Sequence, residues 1–497
     1  MGRRGVTFAV IGDLKTGMRS QENQPLAAIG MQVTLLLTVV IASALALAAP
    51  VRAASTARPN ILYITADDLG WKDLGYHGGG VQTPNLDRLA RDGARLEQFY
   101  VQPTSTQTRA AFLTGRYPMR YGLQTMQIQS SSQFGLPADE RTLTSALQQA
   151  GYRTALIGKW HLGQNKDYWP QRRGYDYFYG HLAGEIDYFK KTNRQGELDW
   201  HRNDKLVKEE GYAIALLAKD AASVIAKHDP SVPLFLYLSF AAPQAPLEAP
   251  KELTARYRDL KTEEERAYRA MIGAVDNAIG TTLAALEARG MLANTLVIFH
   301  AATGGALPSK YPLGDGDTQR SVANNGPYRG GRGGLYDGGM RVAALAYWPG
   351  KVQPAVVTEL MHVTDLYPTI LGLAGANPTQ PRPIDGLDQW PTLSEGQASP
   401  RKEMLLNVEE FRGAIRAGDW KLIVYATLPG RVELYNLKAD PSEEDNQAER
   451  EPERLQAMHK RLVEYAWEMA PAKYLDELGK PHKAEVPIFW GDNPVRP

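Results

Sequence analysis

The chain contains no cysteine in 497 residues. That excludes disulfides, thiolate metal sites and a cysteine nucleophile. A chain of this length does without covalent staples because its core is large. It also lacks a dominant charge. The 56 Lys and Arg face 55 Asp and Glu, a formal charge of +1, and the balance turns slightly acidic once the first 53 residues are set aside. Neither nucleic acid nor an acidic membrane surface is called for as a partner, though local basic clusters can still hold an anionic substrate. Internal repeats are absent. With 43% hydrophobic and 22% charged residues, the composition is that of a soluble globular protein, long enough for roughly two or three domains.

An uncharged apolar run, VTLLLTVVIASALALAA, occupies residues 33–49 and is followed by Val51-Arg52-Ala53. It falls slightly short of the ~20 residues needed to span a bilayer. The expectation is a secretory signal over residues 1–53, cleaved near Ala53, with a membrane anchor as the alternative. The protein is then exported, periplasmic or secreted, with no membrane contact after cleavage. The leader before residue 33 is long, and Met18 or Met31 offers a later start. Arg3-Arg4 lies too far upstream for a twin-arginine signal.

Beyond Ala53, short β-rich runs alternate with helical ones. Residues 61–65, 154–158, 234–240, 296–300 and 342–347 read as strands. Residues 141–150, 211–227 and 262–289 read as helices, the last opened by a capping box of Thr262 with Glu265. Apolar strands alternating with helices indicate a mainly parallel α/β sheet covered on both faces. After about residue 400 the rhythm changes to short strands at 414–416, 421–425 and 432–435, then a helix at 455–467. This predicts a large α/β domain over residues 54–400 and a smaller antiparallel sheet with a terminal helix over 401–497. Residues 303–340, rich in Gly, Asn and Pro, read as a long surface loop.

Several residues could carry chemistry. Asp67 and Asp68 follow a strand, which puts both carboxylates where open α/β sheets bind ligands. Such a pair suits a hard cation or caps a turn. Ser105 to Arg109 precede a helix-like AAFL. A nucleophile there would face helix N-terminal amides, which favour anions, with Arg109 holding it. Ser is also a common N-cap. Lys159 and His161 follow a strand on a short turn. Alone, His161 would read as a packed histidine. Glu185 and Asp187, in GHLAGEIDYF, are further carboxylates for acid–base work or for loop hydrogen bonds.

Three segments, in order, resemble the sulfatase family of the alkaline phosphatase superfamily: NILYITADDLGWKD from Asn60, YVQPTSTQTRAAFLTGRYPMRYGLQ from Tyr100 and GYRTALIGKWHLG from Gly151. Weaker agreement runs through PLFLYLSFAAPQAPLEAP, VIFHAATGG, RGGRGGLYDGGMRV, IRAGDWKLI and VELYNLKADPSEEDN, and so covers nearly the whole mature chain. The likeness is greatest to arylsulfatases acting on sulfated sugars. It implies the alkaline phosphatase-like fold, a nucleophile at Ser105 held by Arg109, and Lys159 and His161 on the sulfate and its leaving oxygen. It places Gln244 and Arg332 as substrate-binding residues and Asp67 and Asp68 as metal ligands.

The same resemblance exposes departures. The family's nucleophile is a formylglycine made from Cys or Ser in a C/S-x-P-x-R setting, whereas here the run is Ser105-Thr106-Gln107-Thr108-Arg109. An unmodified serine lacks the geminal hydroxyl that releases sulfate, so a formylglycine-generating maturase is a partner only if Ser105 is modified. The Asp-Asn pair that completes a calcium site aligns with Ala302 and Thr303. Calcium takes six to eight oxygens, so calcium is expected to be weakly held and no other cofactor is expected. Without a metal, Asp67 and Asp68 should repel and one pKa should rise. A family histidine aligns with Gln244, and a family lysine with Arg332, which keeps the charge.

Three readings stay open at this stage. One is a pseudo-sulfatase that binds anionic or sulfated oligosaccharide through Arg109, Lys159, His161 and Arg332. Another is a repurposed glycan-cleaving hydrolase that uses Asp67 or Asp68, with Glu185 and Asp187 as further carboxylates. The third is an atypical active sulfatase with Ser105 modified or acting directly. The overall expectation is a protein that acts on or binds sulfated carbohydrate without standard formylglycine- and calcium-dependent ester hydrolysis.

Overall fold

The structure is a computed structural model that describes residues 58–306, 322–426 and 429–479. The expected signal at residues 1–53 lies outside them. Among the described residues no helix is long and apolar enough to cross a membrane.

Strand-forming runs with no polar face build the centre of the molecule. NILYITA (Asn60–Ala66), LFLYLSF (Leu234–Phe240) and TLVIFHA (Thr295–Ala301) are buried at every position, as parallel strands covered on both faces must be. They belong to a ten-stranded sheet. Its order is Ala355–Val357, Ala94–Leu96, Ala344–Tyr347, Thr295–Ala301, Asn60–Ala66, Leu234–Phe240, Arg153–Lys159, Tyr177–His181, His201–Arg202 and Lys205–Leu206. The five strands from Thr295–Ala301 to Tyr177–His181 are parallel, and Ala344–Tyr347 pairs antiparallel beside them.

The helix Glu263–Ala288 opens with the expected capping box: the Glu265 amide donates to the Thr262 hydroxyl at 3.1 Å and the Thr262 amide to the Glu265 carboxylate at 3.4 Å. It buries Met271, Ile272, Val275 and Ile279 and packs along Ala213–Lys227.

The C-terminal strands Glu403–Glu409, Arg412–Ala417, Trp420–Tyr425 and Arg431–Asn436 form a four-stranded antiparallel sheet. Side-chain alternation splits its apolar residues between two faces. Leu405, Ile415, Leu422 and Leu434 pack under Met458 and Leu462 of the helix Pro452–Trp467. Met404, Leu406, Ala414 and Ile423 pack with Tyr100, Leu335 and Met340. At that junction Lys421 is wholly buried, with its ammonium 2.8 Å from both Asp337 and Glu443. Tyr100 donates to the same Asp337 carboxylate at 2.6 Å.

The expected loop over 303–340 needs correction at its C-terminal end. Asp337–Met340 is a short, fully buried helix, whose DGGM sequence carries no helical periodicity; residues 307–321 lie outside the described set. The helix Pro84–Asp92 and the strands Tyr177–His181 and Glu403–Glu409 are additions to the sequence reading.

Candidate active site

Four adjacent parallel strands end level with one another. Ala66 pairs with Phe240 on one side and Ala301 on the other, and Gly158 pairs with Ser239. The next residues therefore converge: Asp67 and Asp68, Gln244, Ala302 and Thr303, Lys159 and His161. The wholly buried helix Ser105–Thr114 points its N-terminus at the same place. Asp68 (φ 57°) and His161 (φ 58°) both adopt left-handed backbone, uncommon for residues with a side chain and concentrated where a site over-determines geometry.

Asp67 is completely buried between two cations. Arg109 Nη2 lies 2.7 Å from Oδ1 and Lys159 Nζ 2.6 Å from Oδ2. Burial alone would raise the Asp67 pKa, but the two cations outweigh it and hold the carboxyl below its ordinary value. Arg109 also donates to Tyr237 Oη at 2.7 Å and to the Ser239 hydroxyl. Lys159 makes a second bond, 2.8 Å to Gln244 Oε1. Gln244 thus offers a neutral acceptor to an ammonium group.

Asp68 has a separate set of partners. Arg332 Nη1 sits 2.6 Å from Oδ2. The Thr303 hydroxyl donates to Oδ1 at 3.1 Å and accepts the Asp68 amide at 3.3 Å. Burial pushes the Asp68 carboxyl up to about 6, against the pull of Arg332; the charge on Asp67 adds to the rise. The expected split of the two carboxylates therefore appears, with burial as the larger cause and mutual repulsion as the smaller.

Ser105 Oγ lies 3.2 Å from Nδ1 of His161. The other ring nitrogen, Nε2, is 3.2 Å from the Ile128 carbonyl and 3.1 Å from the Thr106 hydroxyl. A carbonyl only accepts, so Nε2 carries the proton and Nδ1 accepts from the Ser105 hydroxyl. Burial, then Lys159 and Arg109, push the His161 pKa well below its ordinary value. The ring is neutral. Gln107, at the family's proline position, donates to the Gln124 carbonyl from inside the core.

Two expected carboxylates have local partners. Glu185 lies 3.6 Å from Arg194. Asp187 accepts the amides of Phe189 and Lys190 at 2.9 and 2.6 Å, capping its own turn. The loop that carries them does matter, through Gly184: a Cβ there would lie 2.4 Å from His161 Nε2, so only glycine lets the backbone pass so close. Sequence reasoning missed Gly184, Thr106, Tyr237 and Ser239. Tyr237 and Ser239 had a signal. They are polar groups two residues apart, on one face, in an otherwise apolar strand.

The donors present do not fit a calcium ion. Asp67 and Asp68 are both held by cations, Thr303 contributes one neutral oxygen, and Ala302 contributes none from its side chain. Among the described residues no three acidic or histidine side chains group to hold a metal, against a need for six to eight oxygens.

A family model for Sulfatase matches residues 59–376. The chain belongs to the sulfatase family. A second model, N-sulphoglucosamine sulphohydrolase, C-terminal, matches residues 332–468, which include the small sheet. The chain is 33% identical to mouse Arylsulfatase J over 85% of its own length and 78% of that protein. It is 34% identical to human N-acetylgalactosamine-6-sulfatase over 69% of its length and 67% of that protein. Among solved structures it is similar to Ps i-CgsB in complex with k-i-k-neocarrahexaose, with a TM-score of 0.76, 29% identity and coverage of 85% of this chain and 98% of the other. The sulfatase fold thus agrees with the large, mainly parallel sheet and small antiparallel sheet expected from the sequence.

Proposed function

We propose that this sulfatase-family protein binds sulfated oligosaccharide at the buried cationic site and does so without the standard formylglycine- and calcium-dependent hydrolysis of sulfate esters. The observation that carries the reading is the charge arrangement. Three cations, Arg109, Lys159 and Arg332, stand against two carboxylates, Asp67 and Asp68. The surplus is positive, and a helix N-terminus adds to it. Such a pocket favours an anionic group. The similar structure Ps i-CgsB holds k-i-k-neocarrahexaose, and the family is that of sulfatases, which together support a sulfated sugar as the anion.

Turnover has less support. Ser105 has one hydroxyl and a glutamine at the proline position. Gln244 cannot act as an acid near neutral pH. Among the proposed site residues, Ser105, Arg109, Lys159 and His161 would contact the sulfate group, with Gln244 and Arg332 at its edges. Calorimetric titration of the purified protein with sulfated and desulfated forms of one oligosaccharide tests this. Binding of the sulfated form only is expected, and equal affinity for both forms would refute it.

One observation favours a second reading, an atypical active sulfatase: Ser105 meets His161 at 3.2 Å and shares its buried helix with Arg109. Mass spectrometry of the Ser105 peptide from the native host tests the formylglycine form of this reading, and sulfate release tests the form in which Ser105 acts directly. We expect unmodified serine; formylglycine would establish the second reading. The glycan-cleaving alternative is weaker, because Asp67 and Asp68 are tied to cations and Asp187 to its own turn.

A further inference from the structure

Asp68 is 3% exposed and bears a carboxyl next to another one. An isolated buried carboxylate is costly unless it is paired. Its partner, Arg332, arrives from the glycine-rich loop, and that loop is tied down on several sides. The Arg332 amide donates to the Gly305 carbonyl at 3.2 Å and the Gly333 amide to the Pro103 carbonyl at 2.8 Å. From the small sheet, Arg412 donates to the Gly333 carbonyl at 2.8 Å. Asn325 bonds both the amide and the carbonyl of Gly305, at 2.8 and 2.9 Å. The guanidinium is therefore delivered to Asp68 by fixed backbone.

On the other side of Asp68, Thr303 accepts its amide and donates to its carboxylate. Both carboxylate oxygens have partners, Arg332 on Oδ2 and the Thr303 hydroxyl on Oδ1, so a divalent ion bound by both oxygens would have to displace the guanidinium. Adding such an ion beside Arg109, Lys159 and Arg332 would leave a buried excess of three positive charges. No further carboxylate groups with Asp67 and Asp68 among the described residues to offset it.

We infer that Arg332 stands in for a divalent cation: its guanidinium, with the Thr303 hydroxyl, neutralises Asp68 from within the chain and makes the site independent of metal. The consequence is specific. Asp68 keeps its place beside Asp67 as a structural carboxylate, and the sugar-binding pocket is assembled in the folded apoprotein.

The test uses the full-length protein, purified without added metal. Metal content is read by mass spectrometry, and the thermal midpoint is read with and without a chelator and with millimolar calcium. No stoichiometric calcium and no change in midpoint are expected. Arg332→Met leaves the carboxylate buried without its cation, so its midpoint should fall by several degrees, with Arg332→Lys falling between. One equivalent of calcium, a midpoint lowered by chelation, or an Arg332→Met protein as stable as the parent would each overturn the inference. If Arg332→Met fails to fold, the metal content and chelator response of the unaltered protein still decide. Sugar binding is read separately. A metal-free protein that binds no sulfated oligosaccharide contradicts the proposed function and leaves the role of Arg332 standing.

Discussion

The Ser105 hydroxyl donates to Nδ1 of a neutral His161, 3.2 Å away, while the opposite ring nitrogen is fixed on the Ile128 carbonyl. This pair places a serine at the helix N-terminus with its proton directed at the imidazole. The arrangement holds an oxygen in position but gives it only one hydroxyl. Ser105→Ala removes about 1 kcal/mol of hydrogen bonding, so affinity for a sulfated oligosaccharide should change less than about tenfold. Titration calorimetry on the variant checks this. A loss of several hundredfold would show that Ser105 is a principal contact and not a remnant.

Lys159 is the hinge of the site's electrostatics. It is fully buried and joins Asp67 to Gln244. Lys159→Met strands part of a buried carboxylate, and breaking such a pair costs roughly 3–5 kcal/mol. Urea unfolding should show that loss, and sulfated-sugar binding should disappear. Gln244→Ala leaves the Lys159–Asp67 pair intact and should cost about 1 kcal/mol. Equal costs for the two variants would contradict the assignment.

Lys421 plays the corresponding part at the junction of the two sheets, wholly buried between Asp337 and Glu443. Asp337 opens the short helix that ends the loop carrying Arg332. Lys421→Met should destabilise by roughly 3–5 kcal/mol. It should also weaken sugar binding, although Lys421 belongs to a different sheet. A stable variant with unchanged affinity would uncouple that sheet from the pocket.

Acid should destabilise the fold. Burial pushes His181 and His300 down to about 4, against about 6.5 for a free histidine. Between those values the unfolded chain binds protons that the native chain refuses, so stability rises with pH there. Each ring costs roughly 3 kcal/mol by the time the pH has fallen from about 6.5 to about 4. His161 and His362, also held well below the ordinary value by burial, add to this in the same direction. Asp68 and Asp73, raised to about 6, and Glu443, raised to about 7, all by burial, act in the opposite sense below those values, as their native forms hold a proton longer; the four histidines, all held far down, outweigh them. The urea midpoint should be lower at pH 5 than at pH 7; an equal or higher midpoint at pH 5 would refute this.

Much of this was legible in the sequence because it rests on local pattern. Leu234–Phe240 is uniformly apolar and β-rich, and its bounds match the reading. Thr262 and Glu265 announce their helix through a short-range capping pattern. Asp67, Asp68, Lys159 and His161 could be grouped because each ends or follows a strand, and strand ends in a parallel sheet share an edge. Asp337–Met340 was hidden because its buried glycines are set by tertiary contacts rather than by periodicity. The pairing of Arg332 with Asp68 was out of reach for the same reason: 264 residues separate them, and only the folded loop brings them together. Thr303 read as a poor metal ligand, yet its hydroxyl both donates to and accepts from Asp68, a role that sequence alone does not reveal.

Whether this site holds sulfated sugar without releasing sulfate can be read in a single assay. Purified protein is incubated with a sulfated oligosaccharide that it binds, and free sulfate is followed over many equivalents of substrate. Saturable binding is expected, with no sulfate beyond one equivalent per protein. Sustained multiple-turnover release, abolished by Ser105→Ala, would contradict it.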